Sequence, residues 1–130
     1  MPLMRIDMIK GRRSTAEIKK IMQIAYDLTR QDFGVPKDDR YQIVTQHEPE
    51  EMELLDAGLG IERSADVLFF QILSTPRNMG QKRTFCRDLV AKLQQEMQIR
   101  PEDVIVTMAT NHAEDWSFGL GKQQFLDGEL

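Results

Sequence analysis

Val67-Leu68-Phe69-Phe70-Gln71-Ile72-Leu73, the turn Ser74-Thr75-Pro76-Arg77, and the following segment with Phe85, Leu89, Leu93 and Met97 decide the fold. The first run is rich in branched and aromatic side chains and reads as a strand. The proline-bearing turn ends it, and apolar residues four apart then place one stripe on a helix. After Pro101, Val104 to Ala109 reads as another strand. This half of the chain is therefore β-α-β.

The first half has the same plan. Residues 2 to 9 alternate, with Met4, Ile6 and Met8 on one face and Arg5 and Asp7 on the other, which is the period of a strand. Gly11-Arg12-Arg13 breaks that pattern. Ser14 with Glu17 three residues on has capping-box spacing, and Ile18, Ile21, Met22, Ala25 and Leu28 then recur at helical spacing to about Phe33. Gly34-Val35-Pro36 stops the helix, Asp38-Asp39 fills a turn, and Tyr41 to Gln46 reads as a strand. Pro36 and Pro101 stand half a chain length apart, the mark of a duplicated unit. Its copies span residues 2–47 and 66–110 of a single domain, 1–130. The intervening Glu48 to Arg63 and the tail 111–130 are expected to form loops or short hairpins.

Two tandem β-α-β units predict an α/β (α+β) fold: a four-stranded sheet with two helices on one face, the strands of each unit parallel because a crossover helix joins them. The opposite sheet face is left open, with Met4, Ile6, Met8 or their neighbours expected on it. An apolar patch of that size marks an oligomer interface.

Composition narrows the function. With 130 residues, 41% hydrophobic and 29% charged, the chain can bury one core and remain in solution. Seventeen basic against 21 acidic residues give a net charge of -4, which disfavours nonspecific binding to nucleic acid or to an anionic membrane. The lone Cys86 rules out an intrachain disulfide, and one thiol with two histidines does not make a zinc site of the usual kind. A reducing, cytoplasmic setting is expected. The segment Met1 to Ile9 has neither the basic leader nor the apolar length of a signal peptide or membrane span.

Pro2 is the residue of most chemical interest. Initiator methionine is generally removed before a residue as small as proline, and Pro2 would then carry a free secondary amine. Such an amine titrates near neutrality, about 7.7 to 8.0 when unperturbed. Protonated, it donates to a carbonyl oxygen; neutral, it takes a proton from carbon or attacks an aldehyde to form an iminium ion. Pro2 as a simple strand start, Asp39 as a turn residue and Arg77 as a solvated surface arginine are the plainer alternatives. His47 and His112 fall outside any ligand or nucleophile spacing and read as structural. Cys86 reads as packing, Met8, Met22 and Met97 as core or interface, and Arg12-Arg13 as a solvated loop.

Met1-Pro2, Asp39-Arg40-Tyr41-Gln42, Gln46-His47, Gly58-Leu59-Gly60, Pro76-Arg77, Asp103-Val104-Ile105-Val106, Asp115-Trp116-Ser117-Phe118-Gly119 and Phe125-Leu126 follow one another in an order that resembles the malonate semialdehyde decarboxylases of the tautomerase superfamily. The resemblance runs nearly end to end. It implies a homotrimer, no metal or other cofactor, and an amino-terminal proline as catalytic group. Pro2 matches that proline, Asp39 its acidic partner, and Arg77 the second of two arginines that hold a substrate carboxylate. Thr75 stands at the first arginine's position, where a neutral hydroxyl cannot give a bidentate, charge-assisted contact. Trp116, Phe118 and Phe125 match aromatic residues that wall the pocket. The implied activity is decarboxylation of a small oxo acid. Keto-enol tautomerisation of a 2-oxo acid such as phenylpyruvate, or a non-catalytic trimeric binding role, stands as the alternative.

Overall fold

The computed structural model describes residues 1–130. The chain runs β1 (Pro2–Ile9), α1 (Thr15–Phe33), β2 (Tyr41–His47), β3 (Leu68–Ser74), α2 (Met79–Met97) and β4 (Val104–Thr110). Short 3-10 turns occupy Pro49–Glu51, Pro101–Asp103 and Ala113–Asp115. The segment between β2 and β3 and the tail hold no strand, so of the loops or short hairpins expected there both are loops.

The first helix begins where the sequence marks it. Ser14 Oγ accepts from the Glu17 amide at 3.1 Å and the Ser14 amide donates to Glu17 Oε1 at 2.9 Å. Asn78 and Gln81 repeat this reciprocal cap on α2 at 2.8 and 3.0 Å. These contacts satisfy amides that the first helical turn leaves without intrahelical partners. Gly34 closes α1 at φ 66°, a left-handed conformation that glycine adopts without Cβ strain.

The sheet order is β2-β1-β3-β4. β1 pairs with β2 in parallel and β3 with β4 in parallel, while β1 and β3 run antiparallel and join the two units at the centre. Met4, Ile6 and Met8 of β1 and Leu68, Phe70 and Ile72 of β3 all face the helices. There they are buried against Ile21, Ile24, Ala25 and Leu28 of α1 and Phe85, Leu89 and Leu93 of α2. Fully burying an aliphatic or aromatic side chain of this size contributes about 1.5–3 kcal/mol.

The expectation that Met4, Ile6 and Met8 line the open face is corrected by this packing. The strand's more apolar side goes to the helices, and the open side carries Leu3, Arg5 and Asp7 of β1 with Tyr41 and Ile43 of β2 and Leu73 of β3, of which Tyr41, Ile43 and Leu73 are exposed. Arg12 is exposed, as expected of a solvated loop, with its Nε donating to Asp66 Oδ1 at 2.8 Å, whereas Arg13 departs from that expectation: it is half-buried and its Nη2 donates to the Asp66 carbonyl. Cys86 is only half-buried, beside the buried Phe85 and outside the core. His47 is structural as expected, its Nε2 being 2.7 Å from Asp7 Oδ1 across the open face.

Candidate active site at the start of the central strand

Strand direction assembles the site. Because β1 and β2 are parallel, with Leu3 opposite Tyr41, the loop before Tyr41 brings Asp39 to the end of the sheet where Pro2 lies. The antiparallel β3, with Pro2 opposite Ser74, delivers Thr75, Pro76 and Arg77 to the same end. Four residues singled out in the sequence, Pro2, Asp39, Thr75 and Arg77, therefore meet from three separate segments.

The amino-terminal nitrogen is the centre of this group. The Met1 α-amine donates to Thr75 Oγ at 3.2 Å and stands 3.8 Å from Asp39 Oδ2. Burial lowers the amine's pKa below its ordinary value; the Asp39 carboxylate opposes that shift, and the Arg77 charge adds to it. Asp39 is 5% exposed, and its Oδ1 has no hydrogen-bond partner. Burial raises the Asp39 pKa, with the amine and Arg77 opposing. Amine and carboxylate are thus both pushed toward their neutral forms by desolvation and toward their charged forms by each other. A buried carboxylate with an idle oxygen beside a titrating amine has the character of a functional group.

Arg77 is held on one side only. Its Nη1 donates to Thr75 Oγ and the Thr75 carbonyl, both at 3.1 Å, and to the Pro76 carbonyl at 3.0 Å. Its guanidinium carbon lies 5.6 Å from the centre of the Phe33 ring, within the range of a cation–π contact.

Trp116, Phe118 and Phe125 form an aromatic wall. Trp116 and Phe118 stack with centroids 5.1 Å apart, and Phe125 meets Phe118 edge-on at 5.5 Å. Tyr41 completes this wall at 5.8 Å from Phe118 and 6.3 Å from Trp116. The tail that carries the wall is moored beside the site: the Asn111 amide donates to the Ser74 carbonyl at 2.8 Å, and Trp116 Nε1 donates to Asn111 Oδ1 at 3.0 Å. Tyr41 was not singled out as a site residue, although its place two residues after Asp39 was the available signal. It borders both the wall and a hollow of about 10 Å³ shared with Pro2, Met4, Asp39 and Arg40. That hollow has room for roughly one water. A larger cleft, about 350 Å³, lies on the open sheet face between Leu3, Arg5, Gln71, Leu73, Thr107 and Ala109. It contains none of the reactive groups. No three His, Cys, Asp or Glu side chains converge closely enough to hold a metal ion.

Comparison with known proteins gives consistent results. Residues 39–119 match the family model described as "Tautomerase enzyme". The chain is 40% identical, over the full length of both chains, to "Probable tautomerase YrdN" of Bacillus subtilis (strain 168). Its structure superposes on that of a malonate semialdehyde decarboxylase with a TM-score of 0.94 and 43% identity, covering 98% of each chain; that protein is described as having decarboxylase and hydratase activities. A second malonate semialdehyde decarboxylase, inhibited by 3-bromopropiolate, superposes with a TM-score of 0.92 and 31% identity, covering 98% of this chain and 97% of its own.

Proposed function

This chain belongs to the tautomerase superfamily, and on that premise we propose that it is a cofactor-free, malonate semialdehyde decarboxylase-like enzyme acting on a small oxo acid through the amine of Pro2. The observation that carries this reading is the buried amine standing 3.8 Å from Asp39 with the Arg77 charge nearby. With Met1 attached, the Pro2 nitrogen is an amide without useful basicity. Removal of Met1 makes that nitrogen the terminus, at the end of the sheet to which Asp39 and the turn after β3 are delivered, and vacates the space that the Met1 amine fills.

Burial is the largest influence on the Met1 amine and lowers its pKa, and we infer that the same desolvation favours a neutral Pro2 amine once Met1 is removed. A neutral Pro2 attacks the aldehyde carbon of a 3-oxo acid; loss of water leaves an iminium ion. Electrons of the bond to the carboxylate flow into the iminium as carbon dioxide departs, giving an enamine. Protonation at carbon and hydrolysis release the shortened aldehyde and regenerate the amine. Arg77 has an orienting task, turning the breaking bond out of the carbonyl plane, since tight ground-state binding of the departing carboxylate would oppose the reaction. Asp39 retains a titratable oxygen to carry the proton between steps.

One observation favours a second reaction, keto-enol tautomerisation of a 2-oxo acid. Thr75 leaves Arg77 as the single guanidinium of the turn after β3, and proton transfer between carbon and oxygen by a neutral Pro2 needs less carboxylate fixation than decarboxylation. We assign the working form as a homotrimer, since a hollow of about 10 Å³ does not admit an oxo acid and the open sheet face lies next to it. The lone Cys86 fits a reducing cytoplasmic setting. Borohydride added during turnover of malonate semialdehyde tests the covalent route. Reductive attachment of the substrate skeleton at Pro2 is expected; full turnover with no attachment would contradict it.

A further inference from the structure

Thr75 does more at this site than stand where an arginine is missing. A guanidinium offers five N–H donors in a rigid plane, and its Nε–Nη2 edge matches the two oxygens of a carboxylate. In Arg77 the opposite corner, Nη1, is fully engaged by the Thr75 hydroxyl, the Thr75 carbonyl and the Pro76 carbonyl. Nε is buried without any partner, and none of the three hydrogen bonds of Arg77 uses Nη2. The Phe33 ring lies against the group. Leaving a buried N–H unpaired is costly, and a carboxylate brought to this edge relieves that cost.

We propose that Thr75 is a positioning residue: its hydroxyl pins Nη1 of Arg77 so that the Nε–Nη2 edge of this one guanidinium takes a substrate carboxylate. This rests on the reading of Arg77 as the carboxylate holder. The hydroxyl is the contact of Nη1 that depends on the side chain at position 75, since the other two acceptors are backbone carbonyls. Loss of the hydroxyl frees the plane to turn on its long stem, and carboxylate binding then bears the cost of fixing it again. The expected signature is weaker binding of a carboxylate that depends on Arg77, read in equilibrium binding because the same hydroxyl also accepts from the amino-terminal amine.

Calorimetric binding of pyruvate, a small oxo carboxylate, tests the inference without requiring turnover. Thr75→Val should weaken pyruvate about tenfold and raise KM for malonate semialdehyde by a similar factor. Thr75→Ser, which keeps the oxygen, should bind within about twofold of the parent. In an Arg77→Ala background, Thr75→Val should cost nothing further, since the residue acts through Arg77. Parent-like binding by Thr75→Val, additive losses in the double variant, or no pyruvate binding by an active parent would each overturn the proposal. A parent that binds pyruvate with this coupling yet turns over no oxo acid would overturn the proposed function and leave the role of Thr75 standing.

Discussion

Asp39 Oδ2 stands 3.8 Å from the amino-terminal nitrogen while Asp39 Oδ1, buried from solvent, has no partner. A carboxylate kept for stability would have both oxygens satisfied. This one is poised beside an amine whose own pKa burial has lowered. The arrangement costs stability and supplies a carboxylate that burial makes readier to hold a proton.

Asp39→Asn should therefore separate stability from activity. The folded-state pKa of Asp39 is raised by burial, so the folded protein holds its proton more tightly than the unfolded chain does. Stability is then lost as pH rises from the unfolded value near 3.8 through the raised folded value. Asn at this position cannot ionise and should raise the denaturation midpoint at neutral pH, with the gain vanishing at acid pH where Asp39 is protonated in both states. Turnover should fall. Urea melts at several pH values check this, and a variant destabilised at neutral pH would show that the charged carboxylate is a structural ion-pair partner.

Arg77→Ala should raise KM and lower kcat for a carboxylate substrate, by about 2–5 kcal/mol in combined effect if the contact is desolvated. Steady-state kinetics beside a thermal melt separate the two roles of such a residue. A shift in melting temperature with unchanged kinetics would make Arg77 purely structural.

The open sheet face should bring subunits together. Ile43 is 43% exposed on that face, and a charge there would be desolvated on association. Light scattering should give three times the 15.1 kDa chain mass for the parent and a smaller species for Ile43→Asp. A stable monomeric parent would contradict the trimer and, with it, the source of the missing pocket volume.

Strands, helices and the caps of α1 were legible because each rests on local chemistry: the alternation of residues 2 to 9, the Ser14–Glu17 box and the Gly34 stop. Pro2, Asp39 and Arg77 were legible only as a family pattern, since strand direction is what brings three distant segments to one end of the sheet. Alternation also could not say which face of β1 the helices take, so Met4 and Ile6 were assigned to the wrong side. The partner of Arg12 is Asp66, 54 residues away along the chain, and no local pattern announces it. Thr75 likewise read as an absence, because its bond to Arg77 Nη1 depends on the shape of the turn after β3.

The central claim is that the amine of Pro2 does the chemistry, and processing of Met1 tests it most directly. Intact mass should assign two preparations, one retaining Met1 and one beginning at Pro2, and each should be assayed with malonate semialdehyde and with a 2-oxo acid. The account predicts turnover of at least one substrate by the processed protein and none above background by the form with Met1, whose Pro2 nitrogen is an amide. Equal turnover by the two preparations would contradict it.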